Sequence, residues 1–442
     1  MVLLYDWSDK HKEGVTLMNS PVHASDLPDN QFDIGIVGAG MVGSALACGL
    51  ARANYRVVVF DRQRPPPFDP QSQPGIRVSA LSLASQKMLA DYGAWQYIEA
   101  MRRCPYRRLA VWEKSAPRLP LPKLGGHRGT LFNCKDIHTP ELGSIVENNL
   151  THLALHKAME SLPGITSMCP ANLEDLNFSP DTATLTLTQH PPVTMKLVIG
   201  ADGALSQVRK WANIDFSSDQ YEQQAMVITV EYAGKQQDIT WQEFTPTGPL
   251  AFLPLPDVAG KHYASLVWYN TADNIDRLMK LGESQLIGQI WQHYPDCLPA
   301  VTGIVDRGRF PLIKRHAQTY FSKRAVLVGD AAHTINPLAG QGVNLGFQDV
   351  MALVAILSRD GKPLADPGEA VHLRRYESER RPLNGQMMLA MDLFYHAFSN
   401  NHTPLKLLRY LGLNLADKLP FAKQQVLQYA TGIKSPPRWL FR

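Results

Sequence analysis

The sequence predicts an α/β protein in which a strand–helix–strand portion is interrupted by a mostly antiparallel sheet and is followed by helices. Three observations predict this architecture. Residues 33–60 contain an apolar run that stops at a glycine, then an Ala- and Leu-rich segment, then a β-branched run. Four closely spaced segments between residues 226 and 269 are rich in β-branched and aromatic residues. From residue 342 onward the chain is predicted to be mainly helical.

The first ordered element is expected near Phe32. Residues 33–37 form a short apolar run and predict a buried parallel strand. Residues 41–53 predict a helix and residues 56–60 a second strand, which completes one strand–helix–strand unit. The other elements predicted outside the antiparallel sheet are a proline-rich loop at 65–70, a helix at 78–92, and strands at 197–199 and 325–328.

The middle of the chain predicts the antiparallel sheet, with strands at 226–232, 241–245, 250–255 and 263–269 and a turn at 246–249. A cofactor-binding domain is therefore expected to be discontinuous in sequence. The predicted parts are a loose N-terminal extension at 1–31, a Rossmann-type domain at 32–220 and 305–370, an antiparallel-sheet substrate domain at 221–304, and C-terminal helices at 371–442. Segments within 75–145 are candidates to join the substrate domain.

Composition excludes several classes of protein. A chain of 442 residues with 45% hydrophobic residues is not expected to be disordered. A formal net charge of +4 is too small to indicate nucleic-acid binding as a global property. The five cysteines are scattered without disulfide or metal-ligand spacing, which predicts no metal site and a reducing, cytoplasmic setting. No signal peptide or membrane-spanning segment is predicted, which leaves peripheral membrane contact open.

Residues 38–43 match the G-x-G-x-x-G dinucleotide fingerprint, and the sequence supplies the context that the fingerprint needs. The motif lies between a predicted strand and a predicted helix, and the next strand ends in Asp61, eighteen residues after Gly43. Gly38 permits the tight turn, Gly40 allows the backbone to approach a pyrophosphate, and Gly43 allows the helix to pack closely on the strand. A glycine-rich turn without a ligand is the alternative.

The residues around the fingerprint are predicted to bind the rest of a dinucleotide. The helix beginning at Met41 and Val42 supplies free N–H groups and a partial positive charge for phosphates. Asp61 is expected to accept hydrogen bonds from ribose hydroxyls. Arg62 and Arg64 could meet a 2′-phosphate, although surface arginines are the favoured interpretation. The fingerprint alone does not distinguish FAD from NAD.

Two further motifs follow in the chain. Residues 198–209 form a strand, a Gly/Asp turn and a helix start, and residues 328–344 form a strand end, a loop and a second glycine-rich helix start. The three motifs together resemble the group A flavoprotein aromatic hydroxylases, the p-hydroxybenzoate hydroxylase-like superfamily. Residues 329–350 are similar to its ubiquinone-biosynthesis hydroxylase subfamily. Residues 100–109, 241–246, 391–395 and 398–401 resemble the member that performs the last ring hydroxylation.

The resemblance implies FAD as the cofactor and gives roles to residues outside the fingerprint. It assigns Asp202 to FAD and the nicotinamide cofactor, Asp330 to ribose or ribitol hydroxyls, Arg77 to the pyrophosphate region and Asn148 to the ribityl chain. A turn or capping role is the alternative for Asp202, and an ordinary surface or capping role for Arg77 and Asn148. The full set of expected cofactor-binding residues is Gly38, Gly40, Met41, Val42, Gly43, Asp61, Arg62, Arg77, Asn148, Asp202, Asp330, Pro337, Gly340, Gly342, Val343 and Asn344.

The third motif is expected to face the flavin ring. By resemblance, Pro337 and Gly340 belong to a flavin-facing loop, and the helix that starts near 340–344 would aim its N-terminus at the ring. Such a helix stabilises the negative charge of reduced flavin. His333 has the chemistry of a base, but a loop-orienting hydrogen bond is at least as well supported, so no catalytic side chain is assigned.

The resemblance further implies a flavin-dependent monooxygenase that uses NAD(P)H and O2 as co-substrates to hydroxylate a polyprenyl quinol. Such a substrate needs apolar surface, for which the antiparallel sheet is the expected source. The pocket candidates are Phe244, Phe252 and Trp268, with Leu250, Leu253 and Tyr269 beside them; core packing is the alternative for each. Residues 405–413 and 438–442 combine apolar and basic residues that could contact an anionic membrane or a biosynthetic enzyme complex.

Three other functions stay open at this point. A sibling hydroxylase of the pathway could act at another ring position. A non-catalytic flavin- or lipid-binding subunit would be expected to have lost the glycines and aspartates that this chain retains. A plain NAD-dependent dehydrogenase is disfavoured by residues 329–342.

Overall fold

The computed structural model describes residues 31–114, 129–335, 342–398 and 420–433. The strands in chain order are β1 (Gln31–Val37), β2 (Val57–Phe60), β3 (Val78–Ser82), β4 (Cys104–Tyr106), β5 (Arg108–Glu113), β6 (Gly129–Asn133), β7 (Gly143–Glu147), β8 (Ile165–Met168), β9 (Leu173–Phe178), β10 (Ala183–Leu187), β11 (His190–Gly200), β12 (Phe216–Tyr232), β13 (Ile239–Thr245), β14 (Gly248–Val258), β15 (Lys261–Thr271), β16 (Val301–Ala317), β17 (Phe321–Ser322), β18 (Ala325–Leu327), β19 (His333–Thr334), β20 (Ser358–Arg359) and β21 (Lys362–Pro363).

The described helices accompany these strands in an α/β order, as predicted. They are α1 (Met41–Arg52), α2 (Leu83–Asp91), α3 (Trp95–Met101), α4 (Asn148–Glu160), α5 (Gln207–Trp211), α6 (Ala272–Met279), α7 (Glu283–His293), α8 (Gly342–Leu357), α9 (Ala370–Phe398) and α10 (Pro420–Ala430). Short 3₁₀ helices lie at Cys134–Ile137 and Gly329–Ala331.

The first sheet carries the predicted strand–helix–strand unit. Its main path is β17-β18-β11-β1-β2-β8, and β1 runs parallel to both β11 and β2, with Ile34 in register with Leu197 and Val57. These strands have continuous apolar runs because helices cover both faces of a parallel sheet. α1 packs against α4 and α8, and Leu46 and Leu50 of α1 are fully buried in the core.

The second sheet has eight strands in the order β19-β16-β12-β15-β14-β13-β5-β6, and all neighbours except β13 and β5 are antiparallel. Its strands β5 and β6 come from the 75–145 region, where such a contribution was expected. The sheet extends beyond the predicted limits of 221–304, because β12 begins at Phe216 and β16 continues to Ala317. Side chains of one face pack on α6 and α7, and the opposite face is free to form a cavity wall.

The predicted helix at 78–92 is wrong over its first five residues. Val78–Ser82 is strand β3, which pairs antiparallel with β7 in a small sheet ordered β3-β7-β4. α2 begins only at Leu83, where the Ser82 hydroxyl accepts a hydrogen bond from the Ser85 N–H and caps the helix. Local composition favoured helix throughout, and pairing with β7 decides the conformation of the first part.

The described residues of the C-terminal part, 370–398 and 420–433, are mainly helical. α8 packs against α1, α2 and α9, and α10 packs against the 3₁₀ helix at Cys134–Ile137 and places Leu427 in a buried cluster. Among the described helices, none combines the length and apolarity needed to cross a bilayer. The stretches at 405–413 and 438–442, predicted to contact a membrane or partner enzymes, lie outside the described residues.

Candidate functional site

The dinucleotide loop, residues 38–43, has a geometry that its glycines make possible. Gly38 has a φ of +98°, a conformation that favours glycine. A Cβ on Gly43 would lie 1.8 Å from the Gly38 carbonyl oxygen, so the helix can approach the strand only without a side chain there. A Cβ on Gly40 would have no heavy atom of the described residues, beyond its chain neighbours, within 4 Å. The loop therefore leaves open space at the position predicted to approach a pyrophosphate.

The N-terminus of α1 is available for an anion. Gly40 is its N-cap, no described side chain caps the helix, and its first turn contains no acidic residue. The first N–H groups of a helix lack intrahelical partners and carry partial positive charge. This arrangement suits the pyrophosphate of a dinucleotide.

Asp61 is tied to the dinucleotide loop at the end of β2. Its Oδ2 accepts a hydrogen bond from the Ala39 N–H at 2.6 Å, and its Oδ1 accepts one from the Gln63 N–H at 3.1 Å. Arg62, predicted as a cofactor-binding residue, is exposed at the surface. The Asp61 carboxylate thus both braces the loop and lies where a ribose is expected.

A histidine that sequence reasoning missed supports the same loop from α4. His152 Nε2 donates to the Ala39 carbonyl oxygen at 2.5 Å. One helical turn later, His156 packs edge-on against His152 with ring centroids 5.3 Å apart. His156 is only 5% exposed, and its Nε2 has no hydrogen-bond partner among the described residues. Their i, i+4 spacing was the available signal.

We expect the pair to make stability fall with decreasing pH. Burial, and then the charge of His152, lowers the pKa of His156 to about 4. The unfolded chain, with a histidine pKa near 6.5, therefore takes up a proton between about pH 6.5 and 4 that the folded chain does not, so stability decreases as pH falls through that window. Between pH 7 and 5 the expected loss is about 1–2 kcal/mol.

Urea unfolding at pH 7 and pH 5 measures this loss. His156→Phe should have a smaller pH dependence than the parent protein, because it removes the titrating ring. A residual slope is expected from His316, whose pKa burial also lowers to about 4. An unchanged slope in the variant would contradict the assignment.

A cavity of about 600 Å³ joins the dinucleotide loop to the antiparallel sheet. The end of the cavity at the dinucleotide loop is lined by Gly40, Met41 and Val42, together with residues of the second and third motifs. Five of the expected cofactor-binding residues beyond the dinucleotide loop also line it: Arg77, Asn148, Asp330, Gly342 and Val343. The cavity-facing side chains of β12, β14 and β15 form another wall. The fold therefore brings residues separated by 300 positions in the chain onto one space.

Three polar residues mark the middle of the cavity. Asn148 begins α4; its Oδ1 accepts from the Ser79 hydroxyl at 2.7 Å and its N–H donates to the Arg77 carbonyl oxygen at 2.9 Å. The surrounding protein atoms raise the pKa of Asp330, an effect that the nearby charges of His333 and Arg77 oppose. Asp330 and Arg77 thus supply opposite charges on one cavity, a combination suited to ribityl hydroxyls and phosphates respectively.

A buried network holds the start of the third motif. The Asp349 carboxylate, fully buried in α8, accepts hydrogen bonds from the Gly329 N–H at 3.0 Å and from His333 Nε2 at 2.5 Å. Arg380 Nε and Asn384 Nδ2, both on α9, donate to the other carboxylate oxygen at 2.8 and 3.0 Å. His333 therefore has the loop-orienting role that was the alternative to catalysis. Asp349 is the only charged residue in the apolar sequence of α8, a signal that could have identified it.

Two residues predicted to contact the cofactor also bond to the protein itself. The Asp202 Oδ2 accepts from the Gln207 and Val208 N–H groups at 2.6 and 3.2 Å, as in the capping alternative, while its buried Oδ1 has no hydrogen-bond partner among the described residues. The side chain of Asn344 bonds to Ala80 and to residues of the β3–α2 junction. Pro337 and Gly340 lie outside the described residues.

The predicted substrate-pocket residues are mostly on the wrong face of the sheet. Phe252 and Trp268 belong to the core beneath α6 and α7, as does Leu250. Phe244 is buried but does not line the cavity, whereas Leu253 and Tyr269 do. Successive side chains of a strand point to opposite faces, so the cavity face of β14 and β15 consists of Ala251, Leu253, Ser265, Val267 and Tyr269. Aromatic content alone did not identify the face.

The site fits FAD chemically. The cavity combines a dinucleotide loop, a helix N-terminus, the Asp330 carboxylate and a largely apolar stretch of sheet, and Asp61 lies beside the loop. A second helix, α8, begins at this cavity with Gly342 and Val343, where its dipole favours negative charge. The two helix N-termini suit the two anionic parts of a flavin dinucleotide, the pyrophosphate and the reduced ring.

Comparisons with known proteins agree with this chemistry. The family model described as "FAD binding domain" matches residues 31–390. The chain is 43% identical over 405 residues to 3-demethoxyubiquinol 3-hydroxylase of Escherichia coli (strain K12), covering 91% of this chain and 98% of that protein. It is 32% identical to ubiquinone hydroxylase UbiL of Rhodospirillum rubrum, over 93% and 92% of the two chains. The mitochondrial ubiquinone biosynthesis monooxygenase COQ6 of Xenopus tropicalis is also 32% identical, over 90% and 93%.

Solved structures share the fold. PqsL, a probable FAD-dependent monooxygenase from Pseudomonas aeruginosa, superposes with a TM-score of 0.69 at 20% identity, covering 87% of this chain and 99% of that chain. The p-nitrophenol 4-monooxygenase PnpA from Pseudomonas putida DLL-E4 gives a TM-score of 0.69 at 17% identity, over 90% and 97%. At these identities the likeness concerns the architecture.

Proposed function

We propose, on the premise that the chain belongs to the FAD-binding domain family and to its ubiquinone-biosynthesis hydroxylases, that its substrate is demethoxyubiquinol. The protein is a flavin-dependent monooxygenase that uses FAD, NAD(P)H and O2. In the proposed reaction it adds a hydroxyl group to the polyprenylated benzoquinol ring. The 43% identity to 3-demethoxyubiquinol 3-hydroxylase over nearly the whole of both chains favours this ring position over that of a sibling enzyme.

The cavity is the observation that carries the proposal. One end is built for a dinucleotide, and the other is a wall of small and apolar side chains on β12, β14 and β15. A neutral quinol ring with a prenyl tail matches such a wall, because apolar surface gains most from leaving water.

The residues of the chain position and shield the reaction. FAD, when bound, supplies the redox chemistry that activates O2, with NAD(P)H as the source of electrons. The dinucleotide loop and α1 would hold the pyrophosphate, Asp61 the ribose, and Asp330 and Asn148 the ribityl chain. The N-terminus of α8 would stabilise negative charge on the reduced ring, and the apolar sheet face would exclude water. No side chain is required as a nucleophile.

The proposal is tested in two steps. The purified protein should be yellow or should take up added FAD; a colourless folded protein that fails to bind FAD would contradict a flavoprotein. Deletion of its gene should then cause the demethoxy quinone intermediate to accumulate. Accumulation of a less hydroxylated ring would instead favour a sibling hydroxylase.

Replacing Asp330 with alanine should weaken FAD binding about ten- to a hundredfold, because a charged hydrogen-bonding partner of the cofactor is lost. Titration of the apoprotein with FAD, followed by flavin fluorescence, measures this change. Asp330→Asn, which keeps hydrogen-bonding capacity, should lose less. Full flavin occupancy in Asp330→Ala at equal FAD concentration would remove Asp330 from the proposed site.

We further propose that the enzyme contacts the membrane surface or the other enzymes of the pathway peripherally. The basic and apolar residues at 405–413 support this proposal. Flotation with anionic vesicles tests the membrane contact. Neutral substitutions of Lys406 and Arg409 should reduce flotation without changing FAD content.

A further inference from the structure

Two neighbouring hydroxyl groups, one on a residue that lines the cavity and one on the strand beside it, lack partners. Thr229 on β12 and Ser265 on β15 are both fully buried, and they are direct neighbours across the two strands. Neither the Thr229 Oγ1 nor the Ser265 Oγ has a hydrogen-bond partner among the described residues. Buried hydroxyls are usually paired, and an unpaired one is costly. Two adjacent unpaired hydroxyls therefore indicate that something outside the chain completes them.

The location of the two hydroxyls connects them to the cavity. Ser265 lines it, together with Leu253, its neighbour in register on β14. Two residues further along β15, Val267 lines the same wall beside Ala251. Ser265 thus brings a polar group to a stretch of β12, β14 and β15 whose other lining residues, apart from Tyr269, are apolar.

The two hydroxyl groups are suited to bond an oxygen atom of an uncharged ligand. A hydroxyl both donates and accepts, so the pair can bond to a hydroxyl, a carbonyl or a methoxy oxygen. Neither hydroxyl carries a charge, so the pair suits an oxygen of an uncharged group better than an anion. We infer that Thr229 and Ser265 form the hydrogen-bonding subsite for a ring oxygen of the quinol substrate. This inference rests on the proposed function.

The structure offers a matched control. Thr240 of β13 also lines the cavity and is also buried, but its hydroxyl already donates to the Phe252 carbonyl oxygen at 2.8 Å. Thr240→Val removes a satisfied hydroxyl, whereas Thr229→Val and Ser265→Ala remove unsatisfied ones. The first change should lower stability, and the other two should leave it unchanged or raise it.

The experiment uses holoenzyme and a short-tailed form of the proposed quinol, titrated without oxygen or NAD(P)H and followed by the flavin spectrum. Thr229→Val and Ser265→Ala should each weaken quinol binding about tenfold, the effect of losing one hydrogen bond of about 1.4 kcal/mol. They should retain FAD and have an unfolding midpoint at or above that of the parent. Thr240→Val should bind the quinol as the parent does and unfold at lower temperature.

Two analogues, each lacking one of the two ring hydroxyls, identify the oxygen. One analogue should bind to the parent protein about tenfold more weakly than the quinol does. The same analogue should bind to the two variants with the affinity that it has for the parent. Parent-like quinol affinity in both variants, or an affinity loss that is the same for both analogues and the quinol, would overturn the inference. Failure of the parent holoenzyme to bind the quinol would instead contradict the proposed function.

Discussion

Gly43→Ala is expected to leave a chain that does not retain FAD, whereas Gly40→Ala folds normally and loses only affinity. A Cβ added at Gly43 would be placed 1.8 Å from the Gly38 carbonyl oxygen and 3.2 Å from the Ala201 Cβ. Because the first contact is with backbone, α1 would have to move away from β1. At Gly40 the same atom enters space free of described protein atoms, so it would meet only the cofactor. The loss of affinity in Gly40→Ala should reach about a hundredfold or more, since the backbone can no longer approach the pyrophosphate.

Thermal unfolding of the apoproteins and FAD titration separate the two effects. Gly43→Ala should lower the unfolding midpoint and abolish FAD binding, while Gly40→Ala should change only the binding. Gly288→Ala is the control: its Cβ also enters open space, but on α7, far along the chain from the dinucleotide loop. It should retain both properties, with a small gain in stability from helix propensity. Equal destabilisation by both fingerprint substitutions would contradict the geometry.

The second large effect is expected at Asp349. Burial alone would raise the pKa of this carboxyl, but the charges and hydrogen bonds of His333 and Arg380 hold its pKa below the usual range. Asp349→Ala would leave Arg380 buried without its carboxylate partner and would release the Gly329 N–H. Breaking a buried ion pair in this way destabilises by about 3–5 kcal/mol. The contribution is present above the unfolded-state pKa of about 4 and is lost as pH falls below it.

Urea unfolding of the holoenzyme at neutral pH measures the loss. Asp91→Ala is the matched control, because Asp91 pairs with Lys87 on an exposed face of α2, where such pairs contribute less than about 1 kcal/mol. Asp349→Asn keeps some of the hydrogen bonds and should fall between the two. If Asp349→Ala lost no more stability than Asp91→Ala, the network would have no role in holding the third motif.

Much of the cofactor end could be predicted because its signals are local. The dinucleotide loop, the following helix and Asp61 occupy one short stretch of chain, and each glycine there has a backbone reason that does not depend on distant residues. Asp202 shows the limit of this approach. The same Gly/Asp turn is compatible with a ligand contact and with a helix cap. Only the structure shows that one carboxylate oxygen caps α5 while the other has no partner among the described residues.

The sequence by itself determined the fold class and the order of the elements, because periodicity, glycine geometry and motif spacing are properties of neighbouring residues. FAD as the cofactor was implied by the resemblance of the three motifs to a known family. Only the tertiary structure decided which residues share the cavity. Alternation along β14 and β15 leaves two possible faces, and the packing of α6 and α7 assigns Phe252 and Trp268 to the core. Because that face packs on the helices, Ser265 lies on the opposite face and lines the cavity. The assignment depends on contacts between distant segments, so it cannot be obtained from any one strand.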